Sequence, residues 1–166
     1  SDKRLLDLIN SFSDKRITHV QGNKTGLSSA LNLGINLSNG QYIARMDCDD
    51  LSDLMRIEKQ LFFMIKKNID ICGTNALIIN SRNNVIDTFI APKNDNLIIP
   101  YLVSFTPFFH GSIMINKNFF EKNKLQYENN FAEDKVLWMK FFYNKAKFDN
   151  LDDFLYKYRQ HEGSLF

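Results

Sequence analysis

The chain has 166 residues, which fits one domain. Hydrophobic residues make up 44% of it and charged residues 24%, and this composition excludes a disordered or low-complexity chain. Its 21 basic and 19 acidic residues give a formal net charge of +2 without a clustered basic face, so no nucleic-acid partner is expected.

The first third of the chain is predicted to alternate between helices and strands. Apolar residues at helical spacing predict a helix over residues 5–12, and alternation predicts a short strand over residues 16–21. Ser28 can cap a second helix that runs to about residue 37. A strand over residues 42–46 follows, and it stops at the sequence Asp47-Cys48-Asp49-Asp50, called the acidic cluster below.

The same criteria predict seven further elements. These are helices over residues 53–67, 95–103, 117–122 and 133–145, and strands over residues 71–79, 111–115 and 154–158. Pro100 interrupts the second of these helices. Helices that alternate with strands predict a single α/β domain over residues 1–166, with a mostly parallel sheet that binds ligands at the carboxyl ends of its strands.

Neither a disulfide framework nor a membrane-spanning helix is predicted. Two cysteines, Cys48 and Cys72, are too few for a disulfide scaffold and favour a reducing compartment. The most apolar stretch, residues 98–115, contains Pro100, Pro107 and Gly111, and is too interrupted to span a membrane as a helix. A core segment with a turn is expected there, and contact with a membrane surface or a lipid-linked substrate is the alternative.

The acidic cluster is the strongest local signal in the sequence. Three carboxylates within four positions repel one another unless a positive charge compensates them. Closely spaced oxygen ligands suit Mg²⁺ or Mn²⁺, which in turn binds a diphosphate. The alternative is a solvated acidic turn that caps the next helix. Phosphatases of the haloacid dehalogenase type also begin with Asp-x-Asp after a strand, but they have Thr or Val where this chain has Leu51.

Three other groups of residues could carry chemistry. Glu133 and Asp134 begin a predicted helix, where a carboxylate is either a general base or compensates the helix dipole. His110 is expected to be a satisfied, partly buried imidazole, whereas His161 lies in a polar tail as a ligand or an exposed side chain. Residues 23–26 could cradle a phosphate through backbone amides, although they lack the full P-loop pattern.

Taken in order, six segments of the chain resemble the family 2 inverting glycosyltransferases of GT-A fold. The segments are residues 23–34, residues 40–50, Arg56 with Gln60, residues 110–115, Glu133-Asp134 with Leu137-Trp138, and residues 158–161. This ordered set covers nearly the whole chain and is far more specific than any single motif. It implies a Rossmann-like α/β domain with helices on a mostly parallel sheet.

The resemblance assigns roles on the donor side of the site. Asp47 and Asp49 correspond to the Asp-x-Asp motif of the family. Asp49 would hold a divalent Mn²⁺ or Mg²⁺ ion on the donor diphosphate, and Asp47 would face the nucleotide ribose or the metal. His161 would approach the diphosphate or the metal. The residues expected to line the nucleotide are Asn23, Gly26 and Arg45.

The resemblance also implies the reaction and its setting. Asp134, with Glu133 beside it, would deprotonate an acceptor hydroxyl that takes a sugar from a nucleotide-sugar donor with inversion. The acceptor would be a glycan or a lipid-linked molecule in surface polysaccharide or lipopolysaccharide synthesis, in the cytoplasm or at the inner face of the membrane. The alternatives are a non-catalytic fragment that serves in assembly and a metal-dependent phosphohydrolase.

The chain departs from the family pattern at two places. Leu54 stands where the family usually has Pro, which changes the entry into the next helix. The family's first strand, first helix and second strand have no counterpart, so a partial catalytic domain is expected. A sheet without those strands would expose apolar edges, which predicts association between copies of the chain or weak stability.

Overall fold

The structure is a computed structural model, and it describes residues 3–22 and 26–161. Within these residues the chain forms six helices and six strands. The helices are α1 (Lys3–Ser11), α2 (Leu27–Leu37), α3 (Arg56–Lys67), α4 (Asn94–Ser104), α5 (Lys117–Lys122) and α6 (Glu133–Tyr143). The strands are β1 (Tyr42–Ala44), β2 (Leu51–Ser52), β3 (Ile71–Ile79), β4 (Val85–Phe89), β5 (Met114–Asn116) and β6 (Phe148–Arg159).

The strands form one sheet in the order β1-β5-β3-β6-β2, and β4 pairs with β3 outside this path. The predicted α/β class is therefore confirmed, but the sheet is mixed where a mostly parallel one was expected. Only β3 and β6 are parallel, and the other four strand pairs are antiparallel. The connections explain this, because a tight turn over residues 80–84 returns β3 directly into antiparallel β4, and β5 runs against both β1 and β3.

The core has two parts, one on each face of the sheet. Neighbouring residues of a strand point to opposite faces, and Ile71 of β3 belongs to one hydrophobic cluster while Cys72 belongs to the other. Helix α3 contributes Met64 to the Cys72 side. Helices α2, α4, α5 and α6 pack on the Ile71 side, where Trp138 of α6 is fully buried.

The apolar stretch over residues 98–115 is a core segment with a turn, as predicted. The expected interruption at Pro100 is wrong, because α4 continues through it and buries Ile98 and Leu102. A 3₁₀ turn over His110–Ser112 then leads into β5. Within the described ranges no helix combines the length and the apolar composition that crossing a membrane requires.

The observed strands differ from the predicted ones in several respects. Residues 16–21 form no strand, because a strand requires a paired neighbour and none of the six strands pairs with this segment, which lies beside α2 in a groove lined by Leu33 and Leu37. Strands β2 and β4 were not predicted. Strand β6 begins at Phe148, six residues earlier than expected, since buried Asp149 and Asn150 break the apolar alternation.

Candidate active site

The acidic cluster occupies the loop between β1 and β2, and its three carboxylates have different environments. Asp50 is buried, with 4% of its surface exposed. The Tyr156 hydroxyl donates a hydrogen bond of 2.5 Å to Asp50 Oδ2, and the backbone N–H of Arg159 donates one of 2.8 Å to Oδ1. Asp50 is therefore fully engaged by β6 and holds the loop in place.

The end of β6 also fixes the backbone of the acidic cluster. Arg159 Nε donates to the carbonyl of Asp49 at 2.8 Å. Its Nη1 reaches the side chain of Asn83 at 2.8 Å, in the turn after β3. The backbone N–H of Asp47 donates to the Tyr156 hydroxyl at 3.2 Å. The cluster is thus held at a defined position above the carboxyl end of β1.

Asp47 pairs with Arg45, which compensates one of the three carboxylates of the acidic cluster. Arg45 Nη1 lies 2.5 Å from Asp47 Oδ2, and only 11% of the Arg45 side chain is exposed. Arg45 Nε is buried and has no hydrogen-bond partner within the described residues. Burial raises the pKa of Asp47 above its ordinary value, and the Arg45 charge opposes this rise.

Asp49 and His161 are the predicted metal ligands that the structure brings together. Asp49 Oδ2 lies 3.2 Å from His161 Nε2, and both side chains are roughly half exposed, 43% and 46%. Within residues 3–22 and 26–161 no three His, Cys, Asp or Glu side chains form a group suited to a metal. Mg²⁺ is commonly held by one or two carboxylates together with substrate phosphates. Asp49 is therefore the carboxylate of this pair that could hold such a cation together with a diphosphate.

Helix α3 supports the cluster from the opposite face of the sheet. Buried Arg56 donates from Nη2 to the carbonyl of Arg45 at 2.6 Å and from Nε to Gln60 at 2.9 Å. Gln60 donates to the carbonyls of Ser112 at 2.9 Å and Cys72 at 3.2 Å. Arg56 and Gln60, both buried, thus tie the end of β1 to the 3₁₀ turn and to β3.

Glu133 and Asp134 lie in the first turn of α6, both partly buried. Asp134 Oδ1 accepts a hydrogen bond from the backbone N–H of Lys135 at 2.6 Å. Glu133 Oε1 lies 3.9 Å from His110 Nδ1, and His110 Nε2 lies 2.9 Å from the hydroxyl of Tyr127. His110 is thus the satisfied, partly buried imidazole that the sequence predicts.

His110 is neutral at ordinary pH. Burial, followed by the nearby Arg45 charge, lowers the pKa of His110 from 6.5 to about 3. The contact at 3.9 Å between His110 and Glu133 is consequently one between a neutral ring and a carboxylate, although its distance alone would qualify as an ion pair.

Both groups of carboxylates act electrostatically on Tyr127. Burial raises its pKa, and the charges of Arg45, Asp134, Glu133 and Asp47 all act on its phenol. These charged side chains therefore share one electrostatic neighbourhood around the Tyr127 ring, which is buried at 4% exposure.

Helix α2 holds the segment that carries Tyr127. Asn32 accepts from the Tyr127 N–H and donates to the Tyr127 carbonyl, both at 2.9 Å, and Ser28 Oγ donates to the carbonyl of Glu128 at 2.8 Å. Gly26 precedes α2 with φ of 97°, a conformation that favours glycine. Asn23, the other predicted nucleotide contact before α2, lies outside the described residues.

Sequence reasoning did not identify Asn32, Tyr127 or Tyr156 as site residues. The partner of each lies about 95 to 109 residues away in the chain. No local spacing could have indicated these contacts.

A sequence profile of the family described as Glycosyl transferase family 2 matches residues 1–146. The chain belongs to this family. The resemblance found in the sequence is therefore confirmed. One relative is the O-antigen biosynthesis glycosyltransferase WbnJ of Escherichia coli, which is 31% identical over 142 residues, 83% of this chain and 55% of the relative. Another is the putative glycosyltransferase EpsE of Bacillus subtilis, 35% identical over 155 residues, 90% of this chain and 54% of the relative.

Among solved structures, S. aureus TarS 1-349 in complex with UDP-GlcNAc superimposes with a TM-score of 0.76 at 17% identity. The match covers 99% of this chain and 48% of TarS 1-349. It confirms the glycosyltransferase fold that the sequence implies. The chain spans about half the length of the relatives it matches, 55% of WbnJ and 54% of EpsE.

Proposed function

We propose that the protein transfers a sugar from a nucleotide-sugar donor to an acceptor hydroxyl with inversion. The observation that carries this proposal is the match of residues 1–146 to the profile of Glycosyl transferase family 2. The charges of Asp47, Arg45, Glu133 and Asp134 all act on Tyr127, so a donor held at the acidic cluster would lie close to a base on α6.

The donor nucleotide would bind on the side of β1 and α2. Asp47 would face the ribose or a metal, and Gly26, together with Asn23, would approach the nucleotide through the backbone before α2. Arg45 would act indirectly here, because its pairing with Asp47 and its burial leave little of it exposed to a ligand. Its charge would lower the repulsion between the cluster and a diphosphate.

Mn²⁺ or Mg²⁺ is the proposed cofactor. Asp49 and His161 would hold the ion, with Asp47 as a further ligand, and the bound cation would stabilise the negative charge of the departing diphosphate. The separation of 3.2 Å between Asp49 and His161 supports this placement. Arg45 would then remain the counter-charge of Asp47 on the buried side of the cluster.

Asp134 would act as the general base, with Glu133 beside it. Asp134 takes the proton of the acceptor hydroxyl, and the oxygen attacks the anomeric carbon of the donor while the bond to the diphosphate breaks. One base suffices, because in-line displacement with inversion forms no covalent sugar intermediate. Lys135 N–H fixes Asp134 Oδ1, while Oδ2 accepts no hydrogen bond within the described residues.

The acceptor is proposed to be a sugar hydroxyl of a glycan or lipid-linked molecule, and the enzyme a hexosyltransferase. The relative WbnJ is named for O-antigen biosynthesis, which supports a role in surface polysaccharide or lipopolysaccharide synthesis. Such an acceptor would place the protein in the cytoplasm, at the inner face of the membrane. Association between copies of the chain is proposed as well, since no described strand pairs with the outer edge of β1.

Titration calorimetry with nucleoside diphosphates tests the donor site. Uridine, guanosine and cytidine diphosphates are titrated with and without Mn²⁺ into wild type and Asp49→Asn. We expect binding that requires Mn²⁺ in wild type and loses this requirement, together with most of its affinity, in Asp49→Asn. Asp87→Asn, at an exposed position of β4, is the matched control and should bind as wild type does. Unchanged Mn²⁺-dependent affinity in Asp49→Asn would remove Asp49 from the metal site.

A further inference from the structure

We propose that Asn32, Tyr127 and His110 form a relay of positioning residues that orients Glu133 beside the base and joins it to helix α2. The catalytic consequence of this relay rests on the proposed function. The geometry of the relay does not, and it can be tested separately.

The relay starts at α2. Asn32 holds Tyr127 by two backbone hydrogen bonds of 2.9 Å, so the ring leaves the chain at a fixed point. The ring is buried, and its hydroxyl lies 2.9 Å from His110 Nε2. The edge-to-face contact between His110 and Trp138, with ring centroids 5.7 Å apart, fixes the plane of the imidazole.

The surroundings of His110 select one tautomer. The charged or titratable groups that face the ring are Tyr127, Glu133 of α6 and Arg45 after β1. A carboxylate only accepts hydrogen bonds, so the Nδ1 atom that faces Glu133 carries the hydrogen. Nε2 then has a free lone pair and accepts from the Tyr127 hydroxyl. The opposite tautomer would place a lone pair against the Glu133 carboxylate.

The contact from His110 to Glu133 is long in this state, at 3.9 Å. Hydrogen bonds that position catalytic groups are commonly long without substrate and tighten in the complex. The Glu133 side chain is 18% exposed, and the proposed contact requires it to move toward the ring. A neutral N–H donor would orient the carboxylate without giving up a proton to it, and the low pKa of the buried His110 keeps this donor neutral.

Two substitutions at His110 test the contributions of Nδ1 and Nε2 separately. His110→Asn retains an amide close to the position of Nδ1, whereas His110→Gln retains one close to Nε2 and loses the donor that faces Glu133. We expect kcat/KM for the acceptor to fall about 10-fold or more in His110→Gln, the usual effect of losing a hydrogen bond to a charged group. His110→Asn should retain more activity than His110→Gln, and KM for the donor should change less than twofold in both. Equal losses in the two variants would indicate a packing role and would overturn the relay.

Long-range ¹H–¹⁵N NMR spectra of the imidazole rings test the relay without any activity measurement. We expect wild-type His110 to carry its hydrogen on Nδ1, with Nε2 bare, unchanged from pH 8 to pH 5. Tyr127→Phe should shift the Nε2 resonance and allow a mixture of tautomers, while exposed His19 serves as the internal reference. Hydrogen on Nε2 in wild type would overturn the relay, even if the protein is an active transferase. The Nδ1–H tautomer in a protein without transfer activity would support the geometry of the relay and contradict the proposed function.

Discussion

Tyr156 and Asp50 are joined by a hydrogen bond of 2.5 Å between side chains that lie 106 residues apart in the chain. Both are buried, at 0% and 4% exposure. The three carboxylates of the acidic cluster therefore have different roles. Asp50 is used to attach the loop to β6, which leaves the carboxylates of Asp47 and Asp49 on the side where a donor would bind.

Removing the Tyr156 hydroxyl should destabilise the protein and loosen the acidic cluster. Tyr156→Phe leaves Asp50 Oδ2 buried without its donor, and we expect the free energy of unfolding to fall by about 1–3 kcal/mol. Nucleotide binding that depends on Mn²⁺ should weaken as well, because Asp47 N–H loses the same hydroxyl. Urea denaturation and calorimetry measure the two effects. Tyr158→Phe is the control, since the Tyr158 hydroxyl makes no hydrogen bond within the described residues, and a loss of equal size there would contradict the assignment.

Gly111 is required by the position of Tyr156. A Cβ atom at Gly111 would lie 2.1 Å from the Tyr156 hydroxyl oxygen and 2.4 Å from Cζ. Gly111→Ala must therefore displace a buried ring, and we expect a loss of about 1–3 kcal/mol in the free energy of unfolding. Gly34→Ala in α2 is the matched control, because its Cβ would meet no atom within 4 Å and alanine favours helix. A melting temperature for Gly111→Ala equal to that of wild type would show that Tyr156 is not held where the structure places it.

Burial of neutral His110 predicts a specific dependence of stability on pH. Its pKa is about 3 in the folded state, against about 6.5 in an unfolded chain. Between these values the unfolded state binds a proton that the folded state does not, so the free energy of unfolding falls as pH drops from about 6.5 toward 3. His110→Gln should reduce this slope.

Urea denaturation of both proteins at pH 7.5 and pH 5 measures the effect of His110 on that slope. The loss of stability between the two pH values should be smaller in His110→Gln than in wild type. His19→Gln, at an exposed position, should keep the wild-type difference. A pH dependence that is the same in His110→Gln and wild type would mean that His110 is protonated in the folded protein.

The sequence predicts those elements whose pattern is local. Strand β3 and helix α5 form over the predicted residues, 71–79 and 117–122, and both can be recognised from residues that are neighbours in the sequence. Strand β2 has two residues and exists through its pairing with β6. The start of β6 was missed because Asp149 is buried there with Lys67 at 2.7 Å and the Asn94 N–H at 2.8 Å. The periodicity of the sequence does not reveal partners that are distant in the chain.

In the candidate site, too, the sequence predicts only the features that are local in the chain. The acidic cluster and Glu133-Asp134 are visible in the sequence as unusual local groups of charge. The different role of Asp50 among the three carboxylates depends on Tyr156, and the neutral state of His110 depends on burial and on Arg45. Both depend on tertiary contacts that no spacing encodes.

Single-turnover sugar transfer by Asp134→Asn, measured beside donor affinity, tests the central claim most directly. Asparagine keeps the size of the side chain but cannot accept the acceptor proton, so we expect turnover to fall about 10² to 10⁴-fold while donor affinity is retained. Glu58→Gln is the matched control, because Glu58 is an exposed acidic residue in the first turn of α3 and its loss removes a similar helix-terminus charge. The large loss should occur in Asp134→Asn alone. A rate for Asp134→Asn within a few-fold of wild type would contradict it and would leave Asp134 as a residue that only stabilises the helix.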